Sequence, residues 1–168
     1  MKHYYDERFL ILGSSATDPE FYADLAEKFN SDMMMSGPYY PLVIGPASNP
    51  NITKEYVESV KNDPEKEKKI YKRAIECVDN AEFIIVDISS ASTGMGLEVG
   101  YLLSRYANEK HIVFIAKEGS KISPHIAGMY EHLTGKKLEV KFYKNSKDAI
   151  KEIESSQEYT NYCCERNY

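Results

Sequence analysis

Three continuous apolar runs constrain this chain more than anything else in it. They are Phe9-Leu10-Ile11-Leu12, Phe83-Ile84-Ile85-Val86 and Ile112-Val113-Phe114-Ile115. None alternates apolar with polar side chains, as a strand with one wet face would. A strand that is apolar on both sides has to be covered on both sides, which is the habit of parallel sheets. Between the runs lie segments with helical periodicity. Asp18-Pro19-Glu20 offers a cap with proline at the first helical position, and Phe21, Leu25 and Phe29 follow at i, i+4, i+8. Asp63-Pro64-Glu65 repeats the cap ahead of Ile70, Ala74, Cys77 and Val78. A helix is expected from Gly96 to about Tyr106, another over 122–133 with Pro124 in its first turn, and a last one over 146–153.

Two weaker strands complete the pattern. Tyr40-Pro41-Leu42-Val43-Ile44 reads as a short strand closed by Gly45-Pro46. Leu138-Glu139-Val140-Lys141-Phe142-Tyr143 alternates and suits a sheet edge. Residues 47–62 are polar and turn-rich, with a short helix expected around 53–60. Five strands alternating with helices predict an α/β fold, a flavodoxin-like doubly wound sandwich with a five-stranded parallel sheet. The 168 residues suit one domain over 1–155. The tail, 156–168, reads either as a frayed terminus or as a strap across the same or a neighbouring subunit.

Composition excludes several function classes. No stretch of about 18 apolar residues is present, so no membrane span is expected. The start has no apolar core of a secretory signal. Cys77, Cys163 and Cys164 have no metal or redox spacing, so reduced cytoplasmic thiols are expected, with no metal and no cofactor. The net charge of −5 argues against a nucleic-acid polymer as partner but leaves a small nucleotide open.

Chemistry concentrates in Ala81-Glu82-Phe83-Ile84-Ile85-Val86-Asp87-Ile88-Ser89-Ser90-Ala91-Ser92-Thr93-Gly94-Met95-Gly96-Leu97-Glu98-Val99-Gly100. A strand ends in Asp87, a Ser/Thr loop follows, and a helix opens with Glu98 in its first turns. Such folds place their sites at this edge of the sheet. The helix N-terminus favours an ionised Glu98, able to attack an anomeric carbon. The bland alternative is a carboxylate complementing the helix dipole. Asp87 orients Glu98 or holds a ribose or base, or else bonds the Ser89 and Ser90 amides as a turn residue. Ser89 to Thr93 offer hydroxyls and amides to an anion, or simply cap the helix. Gly94 and Gly96 let a ligand approach the backbone. Gly13, Ser14 and Ser15 line the crevice after the first strand, or merely turn into the helix. Ser123 caps a helix or donates to a phosphate. Lys117 and Lys121 are solvated charges, or face an anion. The glycine spacing does not suit a dinucleotide fingerprint, and the missing acids after the first strand argue against a receiver domain.

Across Ala81–Gly100, with Gly13-Ser14 and Ile122-Ser123-x-x-Ile126, the chain resembles the nucleoside 2-deoxyribosyltransferase family. Within it, the 2'-deoxynucleoside 5'-phosphate N-hydrolase branch is the most similar. The resemblance runs from about Phe9 to Tyr143. It implies a homodimer with shared active sites and Glu98 as the nucleophile on C1' of the sugar. Gly13, Ser14, Ser92 and Gly94 would line the nucleotide pocket. Ser92 would hold a 5'-phosphate together with Ser123 from the neighbouring subunit, and Asp87 matches an acidic strand-end position. Water would resolve the glycosyl-enzyme in a hydrolase, and a second base would in a transferase. Two positions depart from the family. Ala74 stands where an Asp or Asn assists the base, and Leu10 where a Tyr positions the catalytic carboxylate. Glu76 is a possible substitute acid. The expectation is therefore an N-glycosidase of (2'-deoxy)nucleoside 5'-monophosphates. The alternatives are a base-exchanging transferase or a nucleotide-binding module without turnover.

Overall fold

The structure, a computed structural model, describes residues 9–13, 19–34, 58–90 and 93–166. Its sheet joins β1 (Phe9–Leu12), β2 (Phe83–Asp87), β3 (His111–Lys117) and β4 (Val140–Tyr143). All three pairings are parallel, in the order β1-β2-β3-β4. Phe9 stands beside Phe83, Phe83 beside His111, and Phe114 beside Val140. The helices described in full are α1 (Pro19–Met34), α2 (Lys66–Asn80), α3 (Thr93–Tyr106), α4 (Pro124–Thr134), α5 (Ser146–Glu154) and α6 (Gln157–Arg166), and residues 58–60 are helical as well. Among the described residues the sheet has four strands. The strand expected at residues 40–44 lies outside them.

The apolar runs are apolar because each strand feeds two cores. Side chains alternate across a strand, so odd and even residues go to opposite faces. Phe9, Ile11, Phe83, Ile85, Val113 and Ile115 pack with Leu25 and Phe29 of α1, Ala149 and Ile153 of α5, and Tyr162 of α6. Leu10, Leu12, Ile84, Val86, Ile112 and Phe114 pack with Cys77 and Val78 of α2 and Val99, Leu102 and Leu103 of α3. Helix α4 adds Ile126, Met129, Tyr130 and Leu133 to this second core from the margin, all partly buried. A charge at almost any central strand position would thus be stranded in one core or the other. Strand β4 is the edge, and its pattern shows it: Val140 and Lys141 are half-buried, Phe142 exposed, Tyr143 buried.

Several helical boundaries differ from the sequence expectation, among them the end of α1, which runs to Met34 rather than about Phe29, and two differences bear on the site and the core. Helix α3 begins at Thr93 rather than Gly96, because exposed glycines at Gly94 and Gly96 do not stop a helix whose next turns bury Met95, Val99 and Leu102. Residues 157–166 form α6 rather than a frayed end. Tyr162 of α6 is buried, and its ring lies 5.2 Å from that of Phe83. Tyr159 packs edge-on to Phe29 and Phe83, at 5.8 and 5.6 Å. The tail thus straps the first core of its own chain. No helix among the described residues is long and apolar enough to cross a membrane.

Candidate functional site at the carboxyl edge of the sheet

Asp87 is the last residue of β2 and shares the face of Phe83 and Ile85, against α1. It is only 3% exposed. A carboxylate taken out of water needs its lone pairs filled, and these are. Tyr22 of α1 and Tyr143 of β4 each donate a phenol hydrogen to Oδ2, both at 2.9 Å. The Ser89 amide donates to Oδ1 at 3.0 Å, and the Ser89 hydroxyl donates to the same oxygen. Ser89 Oγ in turn accepts from the Lys117 amide at 2.7 Å, which binds in the end of β3. Both carboxylate oxygens therefore hold two donors each. The turn-residue role weighed for Asp87 is present, and it is enlarged by two tyrosines.

Neither tyrosine stood out in the sequence. Tyr22 flanks the Phe21, Leu25, Phe29 stripe, and a buried phenol normally finds a polar partner. That was the available signal. Its target, 65 residues away, was not readable. Tyr143 is stacked on Phe21 at 4.6 Å with the rings 12° apart, which aims its hydroxyl at the strand ends. Gly13, just after β1, has a role of its own. A Cβ there would lie 2.5 Å from the Tyr22 hydroxyl and 2.7 Å from its Cζ. The glycine lets the Tyr22 ring close over the end of β1.

Glu98 stands in the second turn of α3. It is three residues after Met95 and four before Leu102, both of them buried, so it shares the flank of the inward stripe. It is half-buried and has no hydrogen-bond or ion-pair partner among the described residues. Burial pushes its carboxyl from an ordinary 4.5 up to about 7. The helix N-terminus was expected to keep it ionised, but loss of water outweighs the helix field here. Perturbed, unpaired carboxyls of this kind gather at functional sites. Gly94 and Gly96 precede it on the exposed side, and a Cβ at either would meet nothing within 4 Å. Among the described residues, nothing packs against these two glycines at the opening of α3.

The two acids do not form a pair. Asp87 faces α1, whereas Glu98 belongs to the helix layer on the opposite side of the sheet. An open cavity of about 420 Å³ lies along the carboxyl ends of β2, β3 and β4, and Asp87, Ser89 and Ser90 line it while Glu98 does not. Ser123 is the N-cap residue of α4, yet its hydroxyl makes no cap bond. Leu10 is fully buried in the second core, so that position offers Glu98 no polar help. Ala74 is half-buried on α2, and Glu76 engages Lys72 and Arg73 at 3.7 and 3.9 Å. Ser14, Ser15 and Ser92 lie outside the described residues. No group of three or more metal-ligating side chains occurs among the described residues. Comparison with protein-family models and with curated proteins finds no match for the chain.

Proposed function

We propose that the chain is a flavodoxin-like N-glycosidase of (2'-deoxy)nucleoside 5'-monophosphates, with Glu98 as its nucleophile and residues 40–44 as the fifth strand of its sheet. The observation that carries this reading is Glu98 itself: a desolvated carboxyl without a partner among the described residues, just beyond a strand's carboxyl end, beside a helix opening whose glycines present no side chain. Its carboxylate attacks C1' of the sugar while the bond from C1' to the base nitrogen breaks. The base leaves with that electron pair and takes up a proton. Water then adds to C1', and Glu98 is released as carboxylate. Ser92 and the Ser123 hydroxyl, which no cap bond occupies, take the 5'-phosphate in this scheme. Asp87 holds the strand ends in place. The assembly is a cytoplasmic homodimer with shared sites. Leu97 of α3 and Tyr71 of α2, 64% and 59% exposed, are suited to its interface.

A second reading, nucleotide binding without turnover, is favoured by Leu10 and Ala74, since no second acid among the described residues bonds to Glu98. The deciding experiment incubates the protein with ribo- and deoxynucleoside monophosphates and follows free base. Release that vanishes in Glu98→Gln is expected. The rate should rise through about pH 7 as Glu98 ionises. A rate that falls through that range would make Glu98 a proton donor instead. Stimulation by an added acceptor base would mark a transferase. Saturable nucleotide binding with no base released would establish the second reading.

A further inference from the structure

The cavity beside Asp87 carries charges that no other described residue satisfies. Its α1 wall presents Glu20 and Asp24, and its strand-end wall presents Lys117 and Lys144. Several of these groups are already engaged. Asp24 accepts from the Ser146 hydroxyl, Lys144 lies 3.7 Å from Glu118, and Asp87 holds its four donors. Glu20 and the Lys117 ammonium have no partner among the described residues, and they do not pair with each other. The hydroxyls of Ser90 and Ser120 are likewise unengaged there.

An acceptor is thus left on one wall, with a cation and two hydroxyl donors on the other. The stacked pair of Phe21 and Tyr143 adds an apolar stretch to the same lining. The walls are fixed, because the Asp87 network joins α1, β2, β3 and β4. A ligand of one charge would satisfy one wall and leave the other facing it with the wrong sign or no partner. A ligand with both charges satisfies both.

We propose that this cavity binds a small zwitterion of the amino-acid class, its carboxylate held by Lys117, Ser90 and Ser120 and its ammonium by Glu20. The site is separate from Glu98, so it stands or falls independently of the glycosidase reading. The test titrates the whole chain with glycine, β-alanine, γ-aminobutyrate and 5-aminopentanoate, following backbone amide signals in solution NMR. Butyrate and butylamine serve as single-charge controls. Saturable shifts at Ser89, Ser90, Lys117 and Ser120 are expected, with one chain length preferred and both controls at least tenfold weaker. Lys117→Met and Glu20→Gln should each weaken the preferred ligand by about tenfold or more, since each removes a charge-assisted bond. Both side chains are at the surface, so the fold survives their loss. The proposal is overturned if no zwitterion saturates, if a control binds as well, or if neither substitution weakens binding.

Discussion

Single residues at this sheet edge are under opposing demands, and the balance can be measured. Glu98 titrates at about 7 when folded, against an ordinary 4.5. Between those values the folded chain keeps a proton that the unfolded chain has released. Stability therefore falls as pH rises from about 4.5 to about 7, and it stays lower above that. Glu98→Gln removes this penalty. Chemical denaturation should show the variant more stable than wild type by up to about 3 kcal/mol near pH 8, with the gain vanishing near pH 4. A gain of that kind from a residue whose loss abolishes base release would identify a site kept at the expense of stability. Gly13 is constrained by sterics alone. Gly13→Ala drives a Cβ into a ring that Asp87 anchors, and should lower unfolding free energy by about 1–3 kcal/mol. Of these residues, Glu98 and Asp87 were visible in the sequence because a strand–loop–helix boundary is local. Tyr22 and Tyr143 were not, because their partner is set by how α1 and β4 land on the sheet.

At the scale of elements, the second core is closed by polar fastenings at its amino-terminal end. The Lys110 ammonium donates to the carbonyls of Val78, Asp79 and Ala81 at 2.7, 2.6 and 2.6 Å, which caps the end of α2. Burial lowers its pKa, while Asp79, Glu109 and Glu82 favour the charged form. Asp79, at the same end, accepts from the Tyr101 and Tyr106 hydroxyls of α3 at 2.8 and 2.7 Å. Lys110→Met keeps the stem but leaves three carbonyls at a helix end without this donor. A loss of about 1–3 kcal/mol is expected in urea titrations. Element types were legible because the three central strands are unbroken apolar runs, β4 alternates as an edge strand does, and the helices before α6 carry apolar stripes. The start of α3 was misjudged because glycine's low helix propensity is a weak bias that burial of Met95 and Val99 overrides.

For the whole molecule, the outcome that local pattern concealed is the last helix. Helix α6 is poor in apolar residues, so its periodicity is faint. It is held by two tyrosines on Phe83 and by the contact of His111 Nε2 with Glu165 at 2.9 Å. A chain ending at Ser155 would uncover Phe83 and Phe29. Its unfolding free energy should drop by at least about 3 kcal/mol, read as a lower denaturant midpoint at the same protein concentration. A midpoint unchanged from full length would mean that the first core is complete without the strap.

Sequence alone determined the layered α/β class and the parallel sheet, since strands apolar on both faces admit few other arrangements. It also picked out the segment where Asp87 and Glu98 lie. Tertiary structure decided what those two acids are. Residue alternation and the landing of α1 turned Asp87 into a saturated fastening on one side of the sheet. Packing of α3 took water from Glu98 on the other side and left it without a partner among the described residues. Side-chain identity sets which charges a chain carries, but burial and partners set their protonation and reach, and those exist only once distant segments meet.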